Sequence, residues 1–156
     1  MTVSCTYTPP APHDAGLTLP RLAGVKIKVN KPITVTLFRD LLNHCSLGAR
    51  RPLADEACLQ AMLQNAPLLV TAWHKTALIG VARSVTDFAY CCYLSDLAVH
   101  EDYQRRGLGR ALIETTFLEL GPRCKIVLRA APQAQEYYAH LGLTAVDNAW
   151  LLDHAL

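Results

Sequence analysis

No apolar run in this chain approaches the ~20 residues that a helix needs to cross a bilayer. The amino terminus also lacks a charged-then-apolar leader pattern. A cytoplasmic protein without a membrane partner is the expectation. An excess of one charge is missing too: 15 Lys and Arg stand against 13 Asp and Glu, a net +2. That balance argues against nucleic-acid binding, which usually shows a pronounced basic face. The six cysteines, at 5, 45, 58, 91, 92 and 124, form no Cys-x-x-Cys pair. Cys91 and Cys92 fall on a strand pattern and would point to opposite faces, poorly placed to bridge or to hold one metal. Buried reduced thiols are expected. The six histidines show no His-x-x-x-His spacing, so no metal site is expected.

What is present suits one domain with one core, since 156 residues are about half apolar. Residues 1–24 carry Pro9, Pro10, Pro12 and Pro20 with little periodicity, and read as a loose arm before a domain at 25–156. Alternation predicts a strand at 25–29. Val35, Phe38, Leu41 and Leu42 predict a helix over 33–45, and Asp55 can cap another over 56–65. Arg50 and Arg51 between them read as solvated loop charge, with substrate contact the alternative. Strands at 68–74, 77–85 and 90–99 have short connections, which predicts an antiparallel meander. Gly80 inside the second suggests a bulge or a close backbone approach.

The chain is organised around residues 93–110. A buried strand at 93–99 is apolar except for Ser95 and Asp96. A turn at 100–103 leads to the loop Gln104-Arg105-Arg106-Gly107-Leu108-Gly109. A helix to about 120 follows, with Leu108, Ala111, Leu112, Thr115 and Leu118 on one face. Helix-start amides have no internal partner, and the dipole adds positive charge there. Two glycines allow close approach, and Arg105, Arg106 and Arg110 add full charges. Phosphate or pyrophosphate is the natural guest. A Walker loop is excluded, because no lysine follows Gly109. The dinucleotide fingerprint is excluded as well, because Leu112 and Ile113 stand where a small residue belongs.

After the helix, residues 125–130 predict a strand that a crossover places parallel to 93–99. Pro132 opens a helix that Gly142 ends, with Ala134, Tyr137, Tyr138 and Leu141 on one face. Residues 149–152 suggest a closing strand.

Gln104-Arg105-Arg106-Gly107-Leu108-Gly109 resembles the Gln/Arg-x-x-Gly-x-Gly/Ala signature of the GNAT superfamily of acyl-CoA N-acyltransferases. Ala134-x-x-Tyr137-Tyr138-x-x-x-Gly142-Leu143 resembles the second signature of that family. The resemblance covers residues 68–152; earlier residues match in element order only. It implies an α/β (α+β) GNAT fold: a mixed sheet of about six to seven strands, a splayed parallel pair and flanking helices. It implies an acetyl-CoA-dependent N-acetyltransferase acting by direct attack in a ternary complex, with no metal. The acceptor would be a small-molecule amine or a protein amine. The helix at 33–45 and the segment after it would wall the acceptor cleft, and a homodimer through a sheet edge is compatible with so small a domain.

By the same resemblance, the strand amide of Leu97 faces the acetyl oxygen as an oxyanion donor. Leu97, Ala98 and Val99 line the pantetheine arm, which pairs as an added strand would. Gln104, Arg105, Arg106, Gly107, Leu108, Gly109 and Arg110 take the pyrophosphate. Tyr138 donates a proton to the leaving thiolate, and Tyr137 is its core neighbour. A base is harder to find. An alkylamine of pKa ~10.4 is neutral in only about one molecule in two thousand at pH 7. The positions the family uses for a base match Tyr93 and Ser95, neither of them basic. Asp96 either serves as the base or is buried and fixes the splay between strands, and a water chain could lead from Asp96 or from Tyr93; these readings stay open. Ala131 stands where many members carry Asn. A non-catalytic acyl-CoA-binding module is the alternative.

Overall fold

A computed structural model of the chain describes residues 8–16, 19–20 and 22–154. Six strands form one sheet in sequence order: β1 (His13–Asp14), β2 (Val25–Val29), β3 (Leu68–His74), β4 (Ala77–Thr86), β5 (Cys91–Val99) and β6 (Lys125–Val127). Every neighbouring pair is antiparallel except β5 and β6. The mixed sheet with one parallel pair is the expected architecture.

Helices cover both faces. α1 (Val35–Asn43) starts at Thr34, whose side chain accepts from the Leu37 amide. α2 (Glu56–Gln64) starts at Asp55, which accepts from the Cys58 amide at 2.9 Å. These caps satisfy amides that the helix cannot. Phe38, Leu41, Leu42 and Leu59 pack with Leu69, Trp73, Leu78 and Val81 on one face of the sheet. On the other face, α3 (Leu108–Leu118) packs Leu108, Ala111 and Leu112 against Ile27, Val70, Ala72, Ile79 and Ala82. Each fully buried leucine contributes roughly 1.5–3 kcal/mol. Residues 68–73 alternate between the two clusters, as a strand buried on both faces requires.

Two bulges interrupt that alternation. Ala72 opposes Gly80 while Trp73 opposes Leu78, so Ile79 is extra on β4. A Cβ at Gly80 would stand 3.1 Å from Leu112 Cδ1, so α3 also comes close there. In the second bulge, Arg83 opposes Asp96 while Ser84 opposes Leu94, leaving Ser95 extra on β5. Leu94 therefore packs on the α3 side, whereas Asp96 and Ala98 turn to the side of α1 and α2.

Four expectations are corrected. The arm at 1–24 is tied down in its second half. His13 and Asp14 pair with Val29 and Lys28, Asn30 Nδ2 donates to the Pro10 carbonyl, and Leu22 is in the core. Residues 1–7, 17, 18 and 21 lie outside the described residues. Leu118 is 73% exposed: α3 ends there, and its burial stops at Thr115 and Thr116. The strand expected over 125–130 stops at Val127. Residues 149–152 form no strand, and Trp150, Leu151 and Leu152 are exposed. An apolar run becomes a strand only beside a partner edge, and these residues have none.

Candidate active site

β6 pairs with β5 only from Cys91 to Tyr93. Beyond Tyr93 no described strand lies on the β6 side of β5, so its last residues border a gap there. The His100 amide donates to the Ile79 carbonyl of β4 at 2.9 Å. Antiparallel alternation then points the backbone groups of Asp96 and Ala98 at β4, and those of Leu97 and Val99 into the gap. The Val99 carbonyl fits this, since it accepts from Gln104 Nε2 at 2.9 Å.

α3 begins at the mouth of the gap. Arg105 and Gly107 adopt left-handed backbone, with φ of 59° and 87°. Gly107 takes this geometry without strain; Arg105 holds it at a cost of about 1–3 kcal/mol. Gly107 is the cap of α3, and no side chain caps that end. The first amides of the helix are thus left for a ligand. A Cβ at Gly109 would stand 2.3 Å from the Tyr137 hydroxyl, so a larger residue there would have to displace the tip of that ring.

The helix α4 (Gln135–His140) closes the site, preceded by a 3-10 turn at Pro132–Ala134 and stopped by Gly142 at φ 88°. Leu97, Val99, Gln104, Arg105, Gly107, Leu108, Gly109, Arg110, Ala134, Tyr137, Tyr138 and Leu141 meet around one cleft of about 440 Å³. The predicted α4 face, Ala134, Tyr137, Tyr138 and Leu141, is the one turned to it. Cys45, Ser46 and Leu47, which follow α1, supply the opposite wall. Burial pushes the Tyr138 phenol above its ordinary pKa, so it keeps its proton throughout the neutral range. Tyr137 is raised too, by burial first and then by Tyr138.

A second cleft of about 300 Å³ shares Ser46, Leu47, Leu97, Ala134 and Tyr138 with the first. It continues along Tyr93 and Ser95 toward Leu128 and Arg129. Leu97 and Tyr138 therefore stand where two clefts meet.

Three predicted site residues are elsewhere. Ala98 is buried in the α1 cluster, one step out of phase with Leu97. Arg106 lies over the Tyr103 ring, 5.9 Å from its centroid, outside the cleft lining. Asp96 is fully buried on the far face of β5. Its two carboxylate oxygens accept from Arg51 Nε and Arg83 Nε. Arg51 Nη2 also donates to the Ser95 carbonyl at 2.7 Å, and Arg83 Nη2 to the Ser95 hydroxyl at 2.8 Å. Both guanidiniums thus hold the bulge as well as the carboxylate. Arg51 is corrected accordingly from solvated loop charge to a clamp. Tyr137 is corrected too: it is 39% exposed and meets Gly109, whereas Tyr138 packs against the core. Asp87 caps the β4–β5 turn by accepting from the amides of Ala89, Tyr90 and Cys91. Those hydrogen bonds hold its carboxyl at about 2. Among the described residues no group of three His, Cys, Asp or Glu could hold a metal.

A splayed parallel pair, a glycine-capped helix at its mouth and a tyrosine helix across it together define the GNAT class of acetyltransferase folds. The family model of the GNAT acetyltransferase domain matches residues 49–153, and the chain belongs to that family. A Glycine max protein named "Probable acetyltransferase TAP2" is 36% identical over 121 residues, 68% of this chain and 47% of that protein. The chain thus spans about half the length of that curated relative. A Staphylococcus aureus protein of unknown function, described as "Probable Acetyltransferase", superposes with a TM-score of 0.67. It is 21% identical, over 83% of this chain and 99% of that one. An aminoglycoside N-acetyltransferase crystallised with CoA gives a TM-score of 0.65 at 17% identity, over 89% and 100%.

Proposed function

We propose that the chain transfers an acetyl group from acetyl-CoA to a primary amine by direct attack in a ternary complex. The observation that carries this reading is the junction of two clefts at Leu97 and Tyr138. The first cleft has the parts that acetyl-CoA needs. Free α3 amides and Arg105 and Arg110 receive the pyrophosphate. The unpaired edge of Leu97 and Val99 receives the pantetheine arm as a strand. The aminoglycoside N-acetyltransferase of the same fold, crystallised with CoA, supports that cofactor.

In this reading the amine enters by the second cleft and its nitrogen attacks the thioester carbon. The Leu97 amide stabilises the developing oxyanion. The C–N bond forms, the C–S bond breaks, and the thiolate takes the Tyr138 proton; the amine gives its own proton to water. Asp96 positions β5, because both its oxygens already hold guanidiniums.

One observation favours a second reading. No carboxylate lines either cleft, which suits an acyl-CoA-binding module without turnover. Calorimetric titration with acetyl-CoA, followed by thiol release against a panel of amines, separates the two. Binding with turnover supports the transferase. Binding without turnover on any amine supports the module, and no binding overturns both.

A further inference from the structure

The second cleft has an uneven charge. Its lining contains Arg50, Arg51 and Arg129, and no Asp, Glu or His. The whole chain, by contrast, is nearly balanced, at 15 basic and 13 acidic residues. Arg51 is occupied: its Nε, Nη1 and Nη2 donate to Asp96, the Arg50 carbonyl and the Ser95 carbonyl. Arg50 and Arg129 differ. Both are exposed, and among the described residues neither side chain makes an ion pair or hydrogen bond. They approach the cleft from two separate segments, the turn after α1 and the chain that leaves β6. Tyr93, Ser95 and Gln133 are the neutral polar groups beside them.

A guanidinium presents paired donors that match an oxyanion in two hydrogen bonds. Two unpartnered guanidiniums on opposite segments, with no acid between them, suit an anion rather than a polyamine or a lysine-rich tail. A cationic acceptor would meet repulsion on this path.

We infer that the acceptor is a small amine that also carries an oxyanion, a carboxylate or phosphate, and that Arg50 and Arg129 receive that group. This deepens the transferase reading and rests on it. It also bears on the missing base. Nearby positive charge disfavours the ammonium form of an amine. The same arginines that bind the oxyanion therefore help the nitrogen lose its proton in a cleft that offers no carboxylate to take it.

The test is thiol release from acetyl-CoA with matched amines: an amino acid and its methyl ester, an ω-amino acid and the alkylamine of equal length, and an aminoalkyl phosphate. The expected result is a kcat/KM about tenfold or more higher for the acidic member of each pair. R50Q and R129Q should each reduce that preference, mainly through the KM of the acidic amine, and the double substitution should erase it. The acetyl-CoA dissociation constant, read by calorimetry, should stay within about twofold, because neither residue lines the first cleft. The aminoalkyl phosphate against the ω-amino acid tells which oxyanion is preferred. A preference for the neutral members, or an acidic preference untouched by both substitutions, overturns the inference. Turnover with no amine at all overturns the transferase reading first, and this inference with it.

Discussion

Beyond the bulge at Ser95, β5 has two unlike faces. On one, Asp96 is fully buried between two guanidiniums, and Ala98 is packed under α1. On the other, Leu97 and Val99 border a cleft, with β4 beside them on one side and no described strand on the side of β6. The first face has its polar groups satisfied; on the second only the Val99 carbonyl has a side-chain partner, Gln104, and the outward backbone groups of Leu97 have no strand to pair with. The difference teaches how a strand edge can stay open without collapsing. Arg51 reaches across from the α1–α2 connection, Arg83 reaches from β4, and together they hold the bulge that aims Leu97 into the gap.

Breaking the satisfied face should have the largest effect. Asp96→Ala leaves Arg83, only 6% exposed, with no counter-charge. Unfolding by urea should show a loss of about 3–5 kcal/mol. A loss below about 1 kcal/mol would show that the clamp does not hold the fold.

Substitutions on the open face should show first in turnover and acetyl-CoA binding. Tyr138→Phe should lower turnover about a hundredfold, the usual contribution of a positioned proton donor. Acetyl-CoA affinity should remain within about twofold. Undiminished turnover would return Tyr138 to packing alone. Gly107→Val forces a β-branched residue to φ 87°, and should weaken acetyl-CoA binding by about tenfold or more in calorimetry. Gly109→Ala should weaken it less, because the obstacle is the tip of Tyr137. Adding Tyr137→Phe should restore part of the loss, since it removes the atom that a new Cβ meets.

The smallest effect belongs to the β4–β5 turn, remote from both faces. The fold lowers the Asp87 carboxyl from 3.8 to about 2. Its contribution is therefore full above the ordinary aspartate range and fades as pH falls from about 4 through about 2. Titration by NMR should give a midpoint near 2, and a midpoint near 3.8 would remove the three amide bonds from solution.

The open face was legible in the sequence; the satisfied face was not. Gln104, Gly107 and Gly109 stand at fixed spacing around a helix start, and α4 shows its cleft face through Ala134, Tyr137, Tyr138 and Leu141. These are local patterns that one segment of chain carries alone. Asp96 was visible as a polar residue in an apolar strand, but its partners lie 45 and 13 residues away. No local period marks Arg51 and Arg83 as those partners. The Ser95 bulge is invisible for a similar reason, because an extra residue exists only relative to β4. Tyr138, while still lining both clefts, takes the core contact expected of Tyr137, because adjacent helical positions differ by 100° and the tilt of α4 decides which one reaches the core.

The most direct test of the two-faced strand is an amide NMR titration with acetyl-CoA. The largest shifts are expected at Leu97, Val99 and residues 104–110, saturating together, with the side-chain guanidinium signals of Arg51 and Arg83 unmoved. Saturable shifts confined to other regions, or none at all, would contradict the assignment of the open edge as the place where the acetyl group is held.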